Sequence, residues 1–414
     1  MTATNNPPLL TIAVLFDQRL ASGGGFQQSL STILSLKNRS DSKFKFVYFC
    51  LFPENVEYLK SLGLSVVYLP LPRWRQLFLA FRRLLRWHPV YSHIRKILGP
   101  NYIERTFERH NIDLVYFTSP SYLAFDLDRL NYLFTVWDLC HIDEPVFPEV
   151  RNDGQFELRE QLYTNVLPKS AAVLVDSEIT KHKVCSYYRV PLSRIHVFPF
   201  SASMSVRQYV LTDAVCIPSV ISKYNISFDF VFYPAQFWPH KNHSFVLDGL
   251  KLLEDHYSIK IGAVFAGGSL KISNQAHISS QASRLGISDR VRFLGFVPSS
   301  DIPCLYLSSI ALVMPTYFGP TNIPPLEASA LHVPIVYPND PEMYHHMDLP
   351  ILPIDLKDPM SLASILASLV QHGRSHSRLQ HSHHNDSTVS AVDSTQILED
   401  ILDSFARRRK CWAR

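Results

Sequence analysis

Two stretches of the sequence carry residues whose types and spacing could do chemistry. The first is 310–339, IALVMPTYFGPTNIPPLEASALHVPIVYPN. A β-rich run ends at Pro315–Thr316 and a Gly/Pro-rich turn follows. A helix is expected to start near Pro324 or Pro325, since a proline is tolerated in a first turn. Backbone N–H groups around Thr321, Asn322 and Ile323, with Glu327 in the first turn, would then form an anion site suited to a diphosphate. The alternative is a plain strand–loop–helix connection. The second stretch is 228–250, FDFVFYPAQFWPHKNHSFVLDGL. A strand ends in Pro234–Ala235–Gln236, a loop leads to Lys241 and Asn242, and a helix begins. Lys241 thus stands near the carboxyl end of a strand. It is either a cation that meets a phosphate or a lysine on a solvated helix start.

Such loops need strands and helices to hold them. Apolar β-rich runs recur at 11–17, 45–52, 64–69, 112–118, 132–138, 171–177 and 195–200. A second set lies at 228–235, 259–268, 290–297, 310–316, 333–339 and 349–355. Near-continuous apolar strands alternating with helices imply parallel sheets covered on both faces. The fold class is therefore α/β, with two tandem doubly wound, Rossmann-like domains. The boundaries read as one domain over 1–205, a second over 222–385, and a C-terminal helix and basic tail over 386–414. The region 201–227 is irregular and reads as the linker. Residues 374–395, rich in Ser and His, read as a loop, and 396–410 as a helix ending in basic residues. Ligands of doubly wound domains sit outside the carboxyl ends of strands, and a cleft between two such domains is the expected site.

Composition agrees with this frame. The chain has 414 residues, 46% hydrophobic and 18% charged, which excludes a wholly disordered chain. Its length exceeds what one core usually supports. The six cysteines contain no C-x-x-C pair, so neither a zinc site nor a disulfide framework is expected. Reduced thiols, the absence of a signal-peptide pattern and the lack of a long apolar run point to a cytoplasmic protein.

The net charge of +4 hides an asymmetry. No acid lies between Glu57 and Glu104, but eight bases do: Lys60, Arg73, Arg75, Arg82, Arg83, Arg86, Arg95 and Lys96. Residues 73–87, RWRQLFLAFRRLLRW, fit a helix. Trp74, Leu77, Phe78, Phe81, Leu84 and Leu85 share one face, and Arg75, Arg82, Arg83 and Arg86 cluster on another. Two readings are open: a core-packed helix with a solvated basic face, or an interfacial helix drawn by its arginines to an anionic membrane on the inner face. Nucleic acid is not an expected partner, since no recognised module accompanies the patch.

Three further segments of the first half carry polar residues. Ser22-Gly23-Gly24-Gly25-Phe26 follows a strand and opens a helix, so its glycines allow close backbone approach to a ligand, or only a tight turn. In TVWDLCHIDEPVFPEVR (135–151), Asp138 and His141 are either ligand-orienting residues or a structural pair. Asp126-Leu127-Asp128 has metal-motif spacing but lies between a helix and a strand, and no metal is expected there.

Together the segments around Lys241 and Glu327 resemble the nucleotide-sugar-binding half of the group 1 glycosyltransferases, the large family 4 of retaining enzymes with the GT-B fold. QFWPHKNH is similar to the donor-phosphate loop, with Lys241 at its lysine and Gln236 where the pattern usually has Arg. FGPTNIPPLEA is similar to the Glu-x7-Glu region. Glu327 is its second Glu and is implied to hold the ribose, while Gly319 stands where the first usually contacts the sugar. Thr321 and Asn322 are implied to take over polar contacts. The stretch from GGS (267–269) to Thr316 also matches, and the resemblance spans 222–370. In the first half, Gly24 and Gly25 match a donor-side glycine loop. The segment at 135–151 matches a His-Asp-Leu-x-His pattern, with Trp137 for its first His and with Asp138 and His141 kept.

The resemblance implies transfer of a hexose from a nucleotide sugar, such as a GDP- or UDP-hexose, to a glycan or lipid-linked acceptor. Surface polysaccharide or glycolipid assembly is the implied setting. Anomeric retention is implied, with Lys241, Asp138 and His141 in the chemistry and neither metal nor cofactor required. Two rival readings are a sugar-nucleotide epimerase or hydrolase on the same fold, and a nucleotide-sugar-binding protein without activity.

Overall fold

The computed structural model describes residues 10–19, 23–37, 43–85, 99–212, 217–268, 273–319, 321–344, 347–372 and 394–412. Every β-rich run of the sequence contains a strand. In the first half these are β1 (Leu10–Phe16), β2 (Phe44–Cys50), β3 (Val66–Tyr68), β4 (Leu114–Phe117), β5 (Asn131–Thr135), β6 (Ala172–Val175) and β7 (Ile195–Val197). In the second half they are β8 (Phe230–Tyr233), β9 (Gly262–Phe265), β10 (Val291–Phe293), β11 (Leu312–Val313), β12 (Ile335–Pro338) and β13 (Ile351–Ile354). The central strands are buried on both faces, as their unbroken apolar runs require.

The first seven strands form one sheet in the order β3-β2-β1-β4-β5-β6-β7, and the other six form a second, β10-β9-β8-β11-β12-β13. All pairings are parallel. In the first sheet the order reverses between β1 and β4, and in the second between β8 and β11. In doubly wound folds these reversals open the crevice where ligands bind.

The chain divides into two units. One comprises 1–139, 157–199 and 392–414, and the other 140–156 and 200–391. The short segment Cys140–Phe156 therefore belongs with the second sheet, although strands of the first precede and follow it in sequence. The C-terminal helix Ser394–Arg409 belongs with the first sheet, tied by Lys43 to Asp403 at 2.5 Å and by Arg409 to Asp113 at 3.8 Å.

The structure corrects the linker reading. Within 201–227 it holds two helices, Met204–Thr212 and Ile217–Lys223, which pack on the helix Ile302–Ser308. Val206 and Val220 enter the second core. Both helices are short, and neither is long enough to display a clear apolar stripe in sequence. Most of the Ser/His-rich stretch, 373–393, lies outside the described residues, as do Ser22, Arg86 and Ser269.

The helix expected over 73–87 runs from Arg73 to Leu85, but with the faces of the core-packed reading reversed. Trp74 is 64% exposed, Leu77 71%, Phe78 46% and Phe81 54%, whereas Leu79 is 3% exposed. The arginines explain the reversal. Arg83 donates to buried Asp126 through Nε at 3.1 Å and Nη2 at 2.5 Å, a two-pronged pair, and also to the Tyr122 carbonyl. Arg75 lies 3.7 Å over the Tyr102 ring and donates to the Pro70 carbonyl at 3.0 Å. Planar guanidinium groups suit such stacked and forked contacts, so these two arginines anchor the helix inward. The Arg82 side chain is outside the described part of the structure.

Candidate glycosyltransferase site

The loops singled out in the sequence follow β8 and β11, the two strands at which the second sheet reverses. After β8 the chain passes Gln236 and makes a short turn, Pro239–Lys241. Asn242 then adopts a left-handed conformation, φ 52°, before the helix His243–Tyr257. After β11 it runs through Thr316 and Gly319 to the helix Ile323–Ala330. The two loops meet at a side-chain bond: Lys241 Nζ donates to Asn322 Oδ1 at 3.0 Å.

Asn322 precedes that helix but does not cap it. Its amide nitrogen donates instead to the Gly319 carbonyl at 2.9 Å and to the Tyr337 hydroxyl at 2.7 Å. Pro324 and Pro325 carry no N–H, so among the first three positions of Ile323–Ala330 only Ile323 brings an amide, and the Asn322 side chain does not take it, which leaves one backbone donor at the helix start for an anion. Lys241 brings a positive charge to the same place.

Three fully buried tyrosines carry this arrangement down into the core. The Tyr233 hydroxyl donates to the Lys241 carbonyl at 3.0 Å, Tyr306 donates to Glu327 at 3.0 Å, and Tyr337 accepts from Asn322. Burial pushes all three phenols well above their ordinary range, so they stay neutral at physiological pH. His243 lies behind Lys241, stacked on Tyr233 with ring centres 4.6 Å apart. Burial first, and the Lys241 charge second, push its ring down to about 3, so it is a neutral plug.

The expected site residues are distributed over the two units. Lys241, Asn322, Thr321 and Ile323 share the β8–β11 reversal. Gln236 lies on the Lys241 loop and accepts from Trp238 Nε1 at 2.6 Å. Glu327 departs from expectation. The helix starts at Ile323, so Glu327 sits beyond its first turn, buried, bonded by Tyr306 and by the Ser203 hydroxyl and amide. Burial raises its carboxyl above the usual range despite these bonds.

Gly24, Gly25 and Asp138 lie in the first unit. Gly24 and Gly25 open the helix Gly24–Lys37. A Cβ on Gly25 would stand 2.7 Å from the Trp137 ring, so the glycine there admits an indole of the protein itself. Asp138 pairs with Arg159 at 3.0 Å. His141 belongs to the second unit, fully buried with its ring 5.7 Å from that of Phe156.

Two polar features escaped sequence reading. At the β1–β4 reversal of the first sheet, Asp17 accepts a hydrogen bond from Ser119. Burial pushes its carboxyl up against the bonds from Ser119, Ser121 and Gln18. In the second unit, Glu149 binds His240, the residue beside Lys241, from 91 positions away. The only sequence signal for either was an acid next to an apolar run or a proline. Among the described residues, no group of three or more His, Cys, Asp or Glu is placed to hold a metal ion.

Residues 222–347 match the family model described as Glycosyl transferases group 1. O-antigen chain mannosyltransferase B of Escherichia coli is 25% identical over 260 residues, 62% of this chain and 64% of that protein. O-antigen chain mannosyltransferase RfbU of Salmonella typhimurium is 30% identical over 135 residues, 32% of this chain and 36% of that one. The chain thus spans under two thirds of the length of these curated relatives. The crystal structure of Anabaena Alr3699/HepE in complex with UDP-glucose superposes with TM-score 0.67 at 16% identity, covering 96% of this chain and 100% of that one. Residues 222–347, which hold the Lys241–Asn322 loops, are a group 1 glycosyl transferase domain, and the two sheets give the chain the GT-B fold.

Proposed function

We propose that the chain is a glycosyltransferase that moves a hexose from a nucleotide sugar to a glycan or lipid-linked acceptor, in the assembly of surface polysaccharide or glycolipid. The observation that carries this reading is the joining of Lys241 to Asn322 at the β8–β11 reversal, in front of an uncapped helix start. The names of the curated relatives favour a mannosyl donor, GDP-mannose first, and the UDP-glucose complex of the structural neighbour makes a UDP-hexose the second choice.

As the glycosidic bond to the donor breaks, negative charge gathers on the leaving diphosphate. The Lys241 ammonium and the Ile323 amide would stabilise it, by pre-placed charge rather than by a metal ion. Retention of anomeric configuration follows from the family resemblance. The acceptor is assigned to the first unit, whose β1–β4 reversal holds Asp17, Ser119 and the glycine-opened helix. The direct test incubates the purified chain with GDP-mannose, UDP-glucose and extracted lipid-linked acceptors. Nucleotide release that depends on acceptor supports transfer. Release of free sugar without acceptor would favour a hydrolase, and binding without turnover a non-catalytic carrier.

Among the described residues, no helix is long and apolar enough to cross a membrane. Peripheral attachment at the inner face of the membrane belongs to the same reading, through the apolar face of the interfacial helix rather than through Arg75 and Arg83. Arg75 and Arg83 are committed inward, and the helix Arg73–Leu85 offers Trp74, Leu77, Phe78 and Phe81 outward. Each such side chain gains about 1.5–3 kcal/mol on full burial in an apolar medium. Arg73, at the start of the same helix, would attract anionic headgroups. A Phe78→Ser/Phe81→Ser variant should bind phosphatidylglycerol-containing vesicles at least about 10-fold more weakly in a flotation assay. Unchanged binding would remove this face from the reading.

A further inference from the structure

We propose that Glu149 is a positioning residue for the two diphosphate loops, acting through His240. The consequence for donor binding rests on the function proposed above, whereas the positioning does not. Glu149 lies on the short helix Pro148–Arg151 within the segment 140–156, which sequence order places among strands of the first sheet and packing places in the second unit. It is 8% exposed. Its Oε1 accepts from the His240 amide at 3.0 Å and also bonds His240 Nδ1, so one oxygen holds both backbone and ring. Its Oε2 is buried and has no hydrogen-bond partner.

A carboxylate oxygen left bare in the interior is disfavoured, because its lost hydration goes unreplaced. Burial pushes the Glu149 carboxyl up, but the bonds with His240 outweigh it and hold the group below its ordinary value. The side chain is therefore an ionised acceptor, fixed to a single partner residue.

That partner connects both loops. The His240 carbonyl accepts from the Tyr317 amide at 2.9 Å. Its ring stacks on Phe318 with centres 3.8 Å apart and planes 15° from parallel. Phe147, two residues before Glu149, packs on Tyr317 and Phe318 with ring centres 5.4 and 5.7 Å away. Lys241 follows His240 directly, and Gly319 follows Phe318. Glu149 and Phe147 thus clamp the segments from which Lys241 and Asn322 reach each other. Without Glu149, the His240 amide loses its acceptor and the ring loses the bond that sets its plane against Phe318.

The test uses the full chain with Glu149→Ala and Glu149→Gln. Amide hydrogen exchange is followed by mass spectrometry over 236–242 and 316–322. Initial rates are measured with GDP-mannose and UDP-glucose as donors. Glu149→Ala should speed exchange in both loops while β8, β9 and β12 stay protected. It should also lower kcat/KM about 10-fold or more, through kcat as well as through donor KM, because the loop that carries Lys241 loses its anchor. Glu149→Gln keeps an oxygen acceptor without the charge and should fall between the alanine variant and the unaltered chain. Unchanged exchange in both loops would overturn the proposal, as would an alanine variant whose kcat/KM stays within about threefold of the unaltered chain while exchange in both loops is faster. If the alanine variant does not fold, Glu149→Gln is judged by the same two readings. If the unaltered chain turns over neither donor, the proposed function fails, and loop exchange still decides the role of Glu149.

Discussion

Lys241→Ala is expected to lower kcat/KM about 10²–10³-fold, the usual effect of removing one pre-placed charge or donor from a transition state. The ammonium donates to Asn322 at 3.0 Å, and its backbone is fixed through Tyr233 and Trp238. Its position is therefore set before any ligand arrives, and little reorganisation accompanies the departure of a diphosphate. Because charge grows on the leaving group as the bond breaks, kcat should fall more than KM rises. Removing the side chain also leaves buried Asn322 Oδ1 without its lysine, a loss of about 1–3 kcal/mol of stability. Thermal unfolding should therefore accompany the rate measurement. Lys241→Arg keeps the charge, but its larger planar group cannot reproduce the single bond to Asn322, so an intermediate rate is expected. A Lys241→Ala enzyme within about threefold of the unaltered rate would place the catalytic charge elsewhere.

The legible parts of this molecule were those written in local pattern. Continuous apolar runs located every strand, because a strand covered on both faces has no polar alternation to disguise it. The Lys241 loop and the turn before Ile323–Ala330 were legible for a similar reason, since each follows a strand and opens a helix. What stayed hidden depended on partners far off in sequence. Arg83 reads as solvated until Asp126, 43 residues on, is folded beneath it, and that contact, with those of Arg75, anchors the helix by its basic side. Periodicity gave the correct grouping of Trp74, Leu77, Phe78 and Phe81 but could not say which group faces the protein. Glu327 reads as a first-turn acid until the observed helix start moves it further in, onto Tyr306. Glu149 belongs, by order, to a segment among the strands of the first sheet, and only packing brings it to His240.

Gly319→Glu, which would restore the acid of the Glu-x7-Glu pattern, is expected to inactivate the protein rather than improve it. Gly319 has φ +121°, a backbone conformation that side-chain-bearing residues rarely adopt. Strain of that kind amounts to about 1–3 kcal/mol. The steric problem is as serious. A Cβ at this position would lie 2.6 Å from Asn322 Nδ2 and 2.8 Å from its Oδ1. Asn322 has no easy retreat, since its amide nitrogen is held by the Gly319 carbonyl and by Tyr337, and its oxygen by Lys241. Any side chain at 319 must therefore either distort the turn or expel Asn322 and release Lys241. The expected loss in kcat/KM is about 10²-fold or more, comparable to removal of the lysine itself. Gly319→Ala separates the two possible reasons for the glycine. If alanine is nearly as damaging as glutamate, the position is fixed by backbone and by Asn322. If alanine is harmless and glutamate raises the rate, this turn tolerates a carboxylate and the account of Asn322 as a fixed support for Lys241 is wrong. The first outcome is expected, because the group that collides, Asn322, is the one that joins the two loops. The glycine is then part of how this chain holds its lysine, and the missing acid is a consequence of that arrangement.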